Sequence, residues 1–193
     1  MERRYIRMTD MQTREADDGR RILEGYFAVF NSPYEVWAGW VETIAPGAFA
    51  RYLSDGGGTK ALWNHDSSIV LGNTANSTLT LREDETGLWG SIEINEADTD
   101  ALNAYARVAR GDVEGCSIGF DIARQEEWWD DDGVYHTLIR EVDPLYEVSP
   151  CTFPAYAATS IEARSAAEAL AGAKAKRRAA WRAEMLKRLK GET

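Results

Sequence analysis

Gly115-Cys116-Ser117-Ile118-Gly119-Phe120-Asp121-Ile122-Ala123 is the stretch on which the fold turns. As a strand, its side chains point alternately to opposite faces. Cys116, Ile118 and Phe120 then face a core, and Ser117 faces the other way between Gly115 and Gly119. The serine stands in a groove with no neighbouring side chains along its own strand. A peptide backbone can approach closely there, which is one use of strand glycine. A serine on the solvent face of a strand with two glycine bulges explains the same residues equally well.

The same residues fit Gly-x-Ser-x-Gly, the nucleophile elbow of α/β-hydrolases. An elbow needs a strand before the serine, a helix after it and a histidine later in the chain. Here a helix precedes the serine and a strand continues past it. Only His136 follows, inside a hairpin and ahead of Glu147. The elbow is therefore rejected, and the chain reads as β-rich rather than doubly wound.

Working outward, the preceding helix begins at a cap supplied by Asp98 or Thr99, with Asp100 in its first turn. Leu102, Tyr105, Ala106 and Ala109 are spaced to share one face, and Gly111 suits the position past its end. Further back, Leu79–Leu81 and Leu88–Ile94 flank a turn at Glu83–Gly87, a hairpin. Residues 60–66 read as a strand ending in a polar turn, and 20–31 as a strand closed by Asn31-Ser32-Pro33. Pro46 introduces a short helix. Ser54–Gly58 is a loop. Downstream, 126–139 is a hairpin turning at Asp130–Gly133, and 145–153 is a last strand, ended with the help of Pro154. The sum is an α+β fold, a mainly antiparallel β-body with packed helices for which a β-barrel is the expected closure.

The 193 residues suffice for one sizeable core. The formal charge of -10 is unevenly spread. Residues 162–193 carry nine Lys/Arg against four Glu, and residues 1–161 carry 13 positive against 28 negative side chains. An acidic body argues against nucleic acid as the specific partner, since phosphate repels it. The change at Glu162 suggests two segments: a domain over 1–161 and an Ala-rich basic helical tail over 162–193. In the tail, Trp181, Met185 and Leu189 recur four apart on one face. No run of about 18 apolar residues exists, so no membrane span is expected. The start, Met1-Glu2-Arg3-Arg4-Tyr5, lacks the apolar core of a signal peptide, which implies a cytosolic protein. Cys116 and Cys151 are then expected to be reduced thiols.

The chain has two histidines. A general base in any hydrolase must be sought among few residues. His65, in Leu62-Trp63-Asn64-His65-Asp66, ends an apolar strand, where a histidine is more often a surface residue than a catalyst. His136 lies in the hairpin with the acidic tip. Neither has a second histidine or a cysteine at metal-ligand spacing, so neither a metal nor a cofactor is expected.

Taken together, several blocks resemble the prohead, or capsid maturation, proteases of tailed phages. They are Leu62-Trp63-Asn64-His65-Asp66 with Val70-Leu71-Gly72, Gly115 to Phe120, and Leu145-Tyr146-Glu147-Val148-Ser149-Pro150-Cys151-Thr152-Phe153-Pro154-Ala155-Tyr156. Gly25–Phe30, Ile44–Phe49 and Asp84–Leu88 also fit. The likeness runs in order over about residues 20–161. It implies a fold similar to herpesvirus assemblin, a closed β-barrel ringed by helices. It implies a serine endopeptidase acting inside assembling procapsids, in the cytoplasm of a bacterial host. Its substrates would be the scaffold protein or the scaffold-like segment of the major capsid protein, and often the protease itself. A homo-oligomer is also expected. The family's catalytic histidine and serine carry over to His65 and Ser117.

For the third member the closing block favours Glu147. Alternation places Leu145, Glu147 and Ser149 on one face and Tyr146 and Val148 on the other. Asp143 precedes Pro144 and reads as part of a bend. Glu141 reads as solvated, while His136 is the rival, because assemblin-like enzymes use a second histidine. A different class of function, a non-catalytic capsid scaffold or structural protein keeping the protease fold, fits the basic tail.

Overall fold

The computed structural model describes residues 2–6, 11–17 and 19–152. The expected tail over 162–193 and the boundary before it lie outside the described residues. Eleven strands alternate with two helices: β1 (Glu2–Ile6), β2 (Gln12–Glu15), β3 (Arg21–Val29), β4 (Tyr34–Trp37), β5 (Trp40–Ile44), α1 (Ala50–Ser54), β6 (Lys60–Trp63), β7 (Asp66–Asn73), β8 (Leu79–Glu83), β9 (Gly87–Glu93), α2 (Thr99–Ala109), β10 (Gly115–Trp129) and β11 (Tyr135–Cys151).

The two longest strands organise the site. The hairpin expected over 126–139 and the strand expected from 145 are one continuous ladder, in which β10 runs antiparallel to β11 from Gly115↔Cys151 to Trp129↔Tyr135. β11 also has two parallel neighbours along its length. β5 pairs with Tyr135–Ile139, and β6 pairs with Glu147 and Val148. β1 flanks β10 on its other side, opposite Ser117 and its neighbours. This seven-stranded sheet faces a four-stranded one in the order β2-β3-β9-β8, with β3 lying against β10.

The closed barrel is not what the described strands form. A barrel needs one unbroken hydrogen-bonded ladder. Here the ladders stop at β1, β4 and β7 in one sheet and at β2 and β8 in the other, and the two sheets meet by packing. Between them lies one core, with Leu23, Phe27, Phe49, Leu88, Ile92, Ile118, Phe120, Ile139, Leu145 and Val148 all fully buried.

Helix α2 starts as read: the Asp98 carboxylate accepts from Asp100 N at 2.9 Å and from Ala101 N at 3.4 Å, and Gly111 takes φ +80° past its end. Its buried stripe differs. Ala101, Ala104 and Val108 are the fully covered residues, whereas Ala106 and Ala109 are exposed and Leu102 and Tyr105 pack at the margin. Small residues on the contact stripe let the helix axis come close to the sheets, so the larger side chains border the contact instead of occupying it.

A bulge corrects the expected faces of β11. Gly119 pairs with Glu147 but Phe120 pairs with Leu145, which leaves Tyr146 as an extra residue. Leu145 and Val148 therefore both reach the core, opposite Phe120 and Ile118. Tyr146 turns outward and donates its hydroxyl to Asp121 at 2.7 Å. Glu147 keeps its place on the face shared with Ser149, but Leu145 does not.

Candidate active site

Residues directly opposite in an antiparallel pair project from the same face. The pairs Gly115↔Cys151, Ser117↔Ser149 and Gly119↔Glu147 therefore lay six positions side by side on one face, with Cys116, Ile118 and Phe120 on the other. Cross-strand Cβ atoms in such pairs lie about 4.5–5.5 Å apart, which sets Ser117 beside Ser149 and diagonal to both Glu147 and Cys151. Cys116 belongs to the core cluster. Its burial, with Cys151 nearby, pushes its thiol well above the ordinary range. It is an inert packing residue.

Histidine 65 arrives from the adjoining hairpin. β6 ends at Trp63, which pairs with Asp66, so Asn64 and His65 form a two-residue turn. Both residues have left-handed backbones, φ 53° and 62°, the signature of the tight hairpin turn that matches strand twist. Histidine is one of the few non-glycine residues that enter this region with any frequency. Asn64 ties the turn to the end of β11. Its backbone N–H donates to Pro150 O at 3.1 Å, its side-chain oxygen accepts from Thr152 N at 2.8 Å, and its amide donates to Thr152 Oγ1 at 3.3 Å.

So held, the imidazole spans the row of β11 side chains. His65 Nδ1 lies 2.6 Å from Glu147 Oε1, and Nε2 lies 3.6 Å from Cys151 Sγ. A nitrogen that close to a carboxylate oxygen carries the proton and donates it, leaving Nε2 as the acceptor. The other carboxylate oxygen, Glu147 Oε2, accepts from Ser149 Oγ. The Cys151 thiol donates to Ser149 O at 3.4 Å. Hydrogen bonds thus run from Ser149 through Glu147 to His65, with Cys151 Sγ beside Nε2. Ser117, Glu147, Ser149 and Cys151 are buried, and the His65 side chain is 13% exposed.

The glycine beside the serine has a role different from the one read in sequence. A Cβ added to Gly119 would lie 2.6 Å from Glu147 Oε1 and 3.1 Å from its Cγ. The space that was read as a groove for a peptide is filled by the glutamate side chain, and Ser117 itself has no exposed surface.

The other acidic candidates are engaged elsewhere. Glu141 accepts from Arg51 at 2.6 Å and Arg124 at 3.5 Å, and Asp143 is exposed. His136 sits at the far end of the β10–β11 ladder, with Nε2 2.9 Å from Asp130 and its ring stacked on Trp128 at 5.0 Å. Among the described residues, no group of three or more His, Cys, Asp or Glu is placed to hold a metal ion.

A serine strand paired to a strand whose glutamate grips a histidine is the arrangement that the sequence blocks imply, and residues 9–172 match the profile of the caudovirus prohead serine proteases. The chain belongs to this family. The prohead protease of Enterobacteria phage HK97 is 30% identical over 158 residues, which cover 79% of this chain and 64% of that protein. The chain thus spans less than two thirds of that family member's length. No solved structure matches it.

Three residues of this family member's site escaped the sequence reading: Asn64, Ser149 and Cys151. A signal existed for two of them. Asn64 stands at the first position of a two-residue turn between strands, where asparagine is favoured. Ser149 shares a face with Glu147 by simple alternation. Alternation puts Cys151 on that face too, but nothing in the sequence marks its contact with His65, which depends on where the histidine lands.

Proposed function

We propose that this chain is a serine endopeptidase of procapsid maturation, with Ser117 as nucleophile, His65 as general base and Glu147 orienting the histidine. One observation carries the reading: His65 is held at 2.6 Å by Glu147 on the sheet face that also bears Ser117. A serine hydroxyl is a weak nucleophile until a base takes its proton. In the proposed first step Ser117 Oγ attacks the scissile carbonyl as Nε2 accepts the hydroxyl proton. The imidazolium so formed is stabilised by the Glu147 carboxylate. That proton then passes to the leaving amine, the C–N bond breaks, and an acyl-serine remains. Water, deprotonated by the same Nε2, releases the new carboxyl terminus.

The substrates that suit this reading are the scaffold protein or the scaffold-like part of the major capsid protein, met inside procapsids in the host cytoplasm. The protease is a candidate substrate as well. Because Ser117 is fully covered, a substrate reaches it only after the covering structure moves. Cleavage should therefore begin with a conformational change, not with synthesis.

A second reading rests on the 3.6 Å contact between Cys151 Sγ and Nε2: a thiol in place of the hydroxyl as nucleophile. Co-production with the phage's own major capsid and scaffold proteins separates the readings. Ser117→Ala should cut at least about 10⁴-fold more slowly, with Glu147→Gln impaired and His136→Ala near wild type. Near wild-type cutting by Ser117→Ala, together with loss in Cys151→Ala, would transfer the role to the thiol. A wild-type protein that assembles with capsid components but never cuts them would mark a scaffold.

A further inference from the structure

The Glu147 carboxylate has two oxygens, and each is spoken for. Oε1 meets His65 Nδ1 and Oε2 accepts from the Ser149 hydroxyl. Ser149 is fully buried, as is Glu147 apart from a few per cent. A carboxylate so little exposed depends on its protein partners for its solvation, and the Ser149 hydroxyl is one of them. Ser149 is also the cross-strand partner of Ser117, and its carbonyl oxygen accepts from the Cys151 thiol, the group beside Nε2. One residue therefore touches the groups around His65 twice, once by side chain and once by backbone.

We infer that Ser149 is a positioning residue: its hydroxyl fixes the Glu147 carboxylate and limits the negative charge that Glu147 presents to His65. This rests on the catalytic reading above for its consequence in rate, but not for its effect on the histidine. The physical argument is a competition for one anion. A hydroxyl donating to a carboxylate stabilises its charged form and draws charge density toward itself. With the hydroxyl removed, the carboxylate is still walled in by the Gly119 backbone. It then interacts more strongly with the imidazolium. His65 should hold its proton to higher pH in Ser149→Ala than in wild type, and the freed carboxylate should orient the ring less sharply.

The test follows the two histidine Cε1–H signals of the full-length protein by proton NMR across pH, with His136→Gln to assign the His65 signal. In Ser149→Ala the His65 midpoint should move up, and the acid limb of the pH–rate profile should move with it. The kcat for capsid-protein cleavage should fall about tenfold with KM little changed, the scale of one lost hydrogen bond to a charged group. Ser149→Thr, which keeps a hydroxyl, should restore the wild-type midpoint. If the threonine methyl prevents folding, Ser149→Cys serves, its weaker donor giving a midpoint between those of wild type and alanine. A folded Ser149→Ala protein whose His65 midpoint is unchanged overturns the inference. A shifted midpoint in a protein whose Ser117→Ala variant still cuts would instead overturn the nucleophile assignment and leave Ser149's hold on Glu147 standing.

Discussion

Single positions carry most of the chemistry, and Gly119 is the sharpest case. Its absent side chain is the space in which the Glu147 carboxylate lies. Gly119→Ala would place a methyl 2.6 Å from Oε1, so the glutamate must retreat from His65. The expected outcome is a folded protein, destabilised by about 1–3 kcal/mol as in other overpacked sites, whose cleavage rate falls at least tenfold. Thermal melting alongside a capsid-cleavage assay checks both halves. A variant with wild-type rate would show that Glu147 need not stay where it is. Ser117, His65 and Glu147 could be proposed from sequence because a glycine-flanked serine, a scarce histidine and a resembling block each point to one residue. It misled about Gly119, because alternation along one strand says nothing about what its neighbour inserts into the gap.

At the scale of elements, the turn that presents His65 matters more than the strands on either side. Asn64 adopts φ 53° and makes two side-chain hydrogen bonds to Thr152. Asn64→Ala gives up both, and alanine resists the left-handed region by about 1–2 kcal/mol. A loss near 2 kcal/mol is expected, read as a lower urea midpoint with unchanged slope, together with slower cleavage because His65 loses its footing. Unchanged stability would mean that the turn is held by its strands alone. The hairpin was readable from sequence as a strand ending in a polar turn. The tie to Thr152 was not, since it joins segments 88 residues apart. The same limit explains β11. Local signals suggested a hairpin and then a separate strand, but a bulge at Tyr146 lets one 17-residue strand serve both core and site.

For the whole molecule, the acidic body sets the response to pH. Hydrogen bonding to Arg51 holds the Glu141 carboxyl below its usual range, Arg140 does the same for Glu126, and His136 for Asp130. A depressed folded-state value means that the stabilisation is complete above the unfolded carboxylate value, about 4.3, and fades as pH falls through the lower folded one. Glu83 has the opposite sign, because burial raises it against the Phe49 N–H bond. Depressed carboxyls, with Asp66 and Asp84 among them, outnumber the raised Glu83 and predict a melting temperature that drops below about pH 4.5, with a shallower drop in Glu141→Gln. A flat profile through that window would discount these pairs. The β-rich α+β class was legible from alternation, turns and the one helix. Whether the sheet closes was not, because closure depends on which distant strand edges meet. The parallel pairing of β11 with both β5 and β6 has a further consequence, in the order of synthesis. His65 precedes Glu147 by 82 positions, and β11 is the last described strand to leave the ribosome. Until it emerges, Ser117's strand lacks the partner that brings the glutamate to the histidine. A nascent chain stalled before residue 147 should therefore bear serine and histidine without the carboxylate that meets the histidine, and should show none of the proposed cleavage.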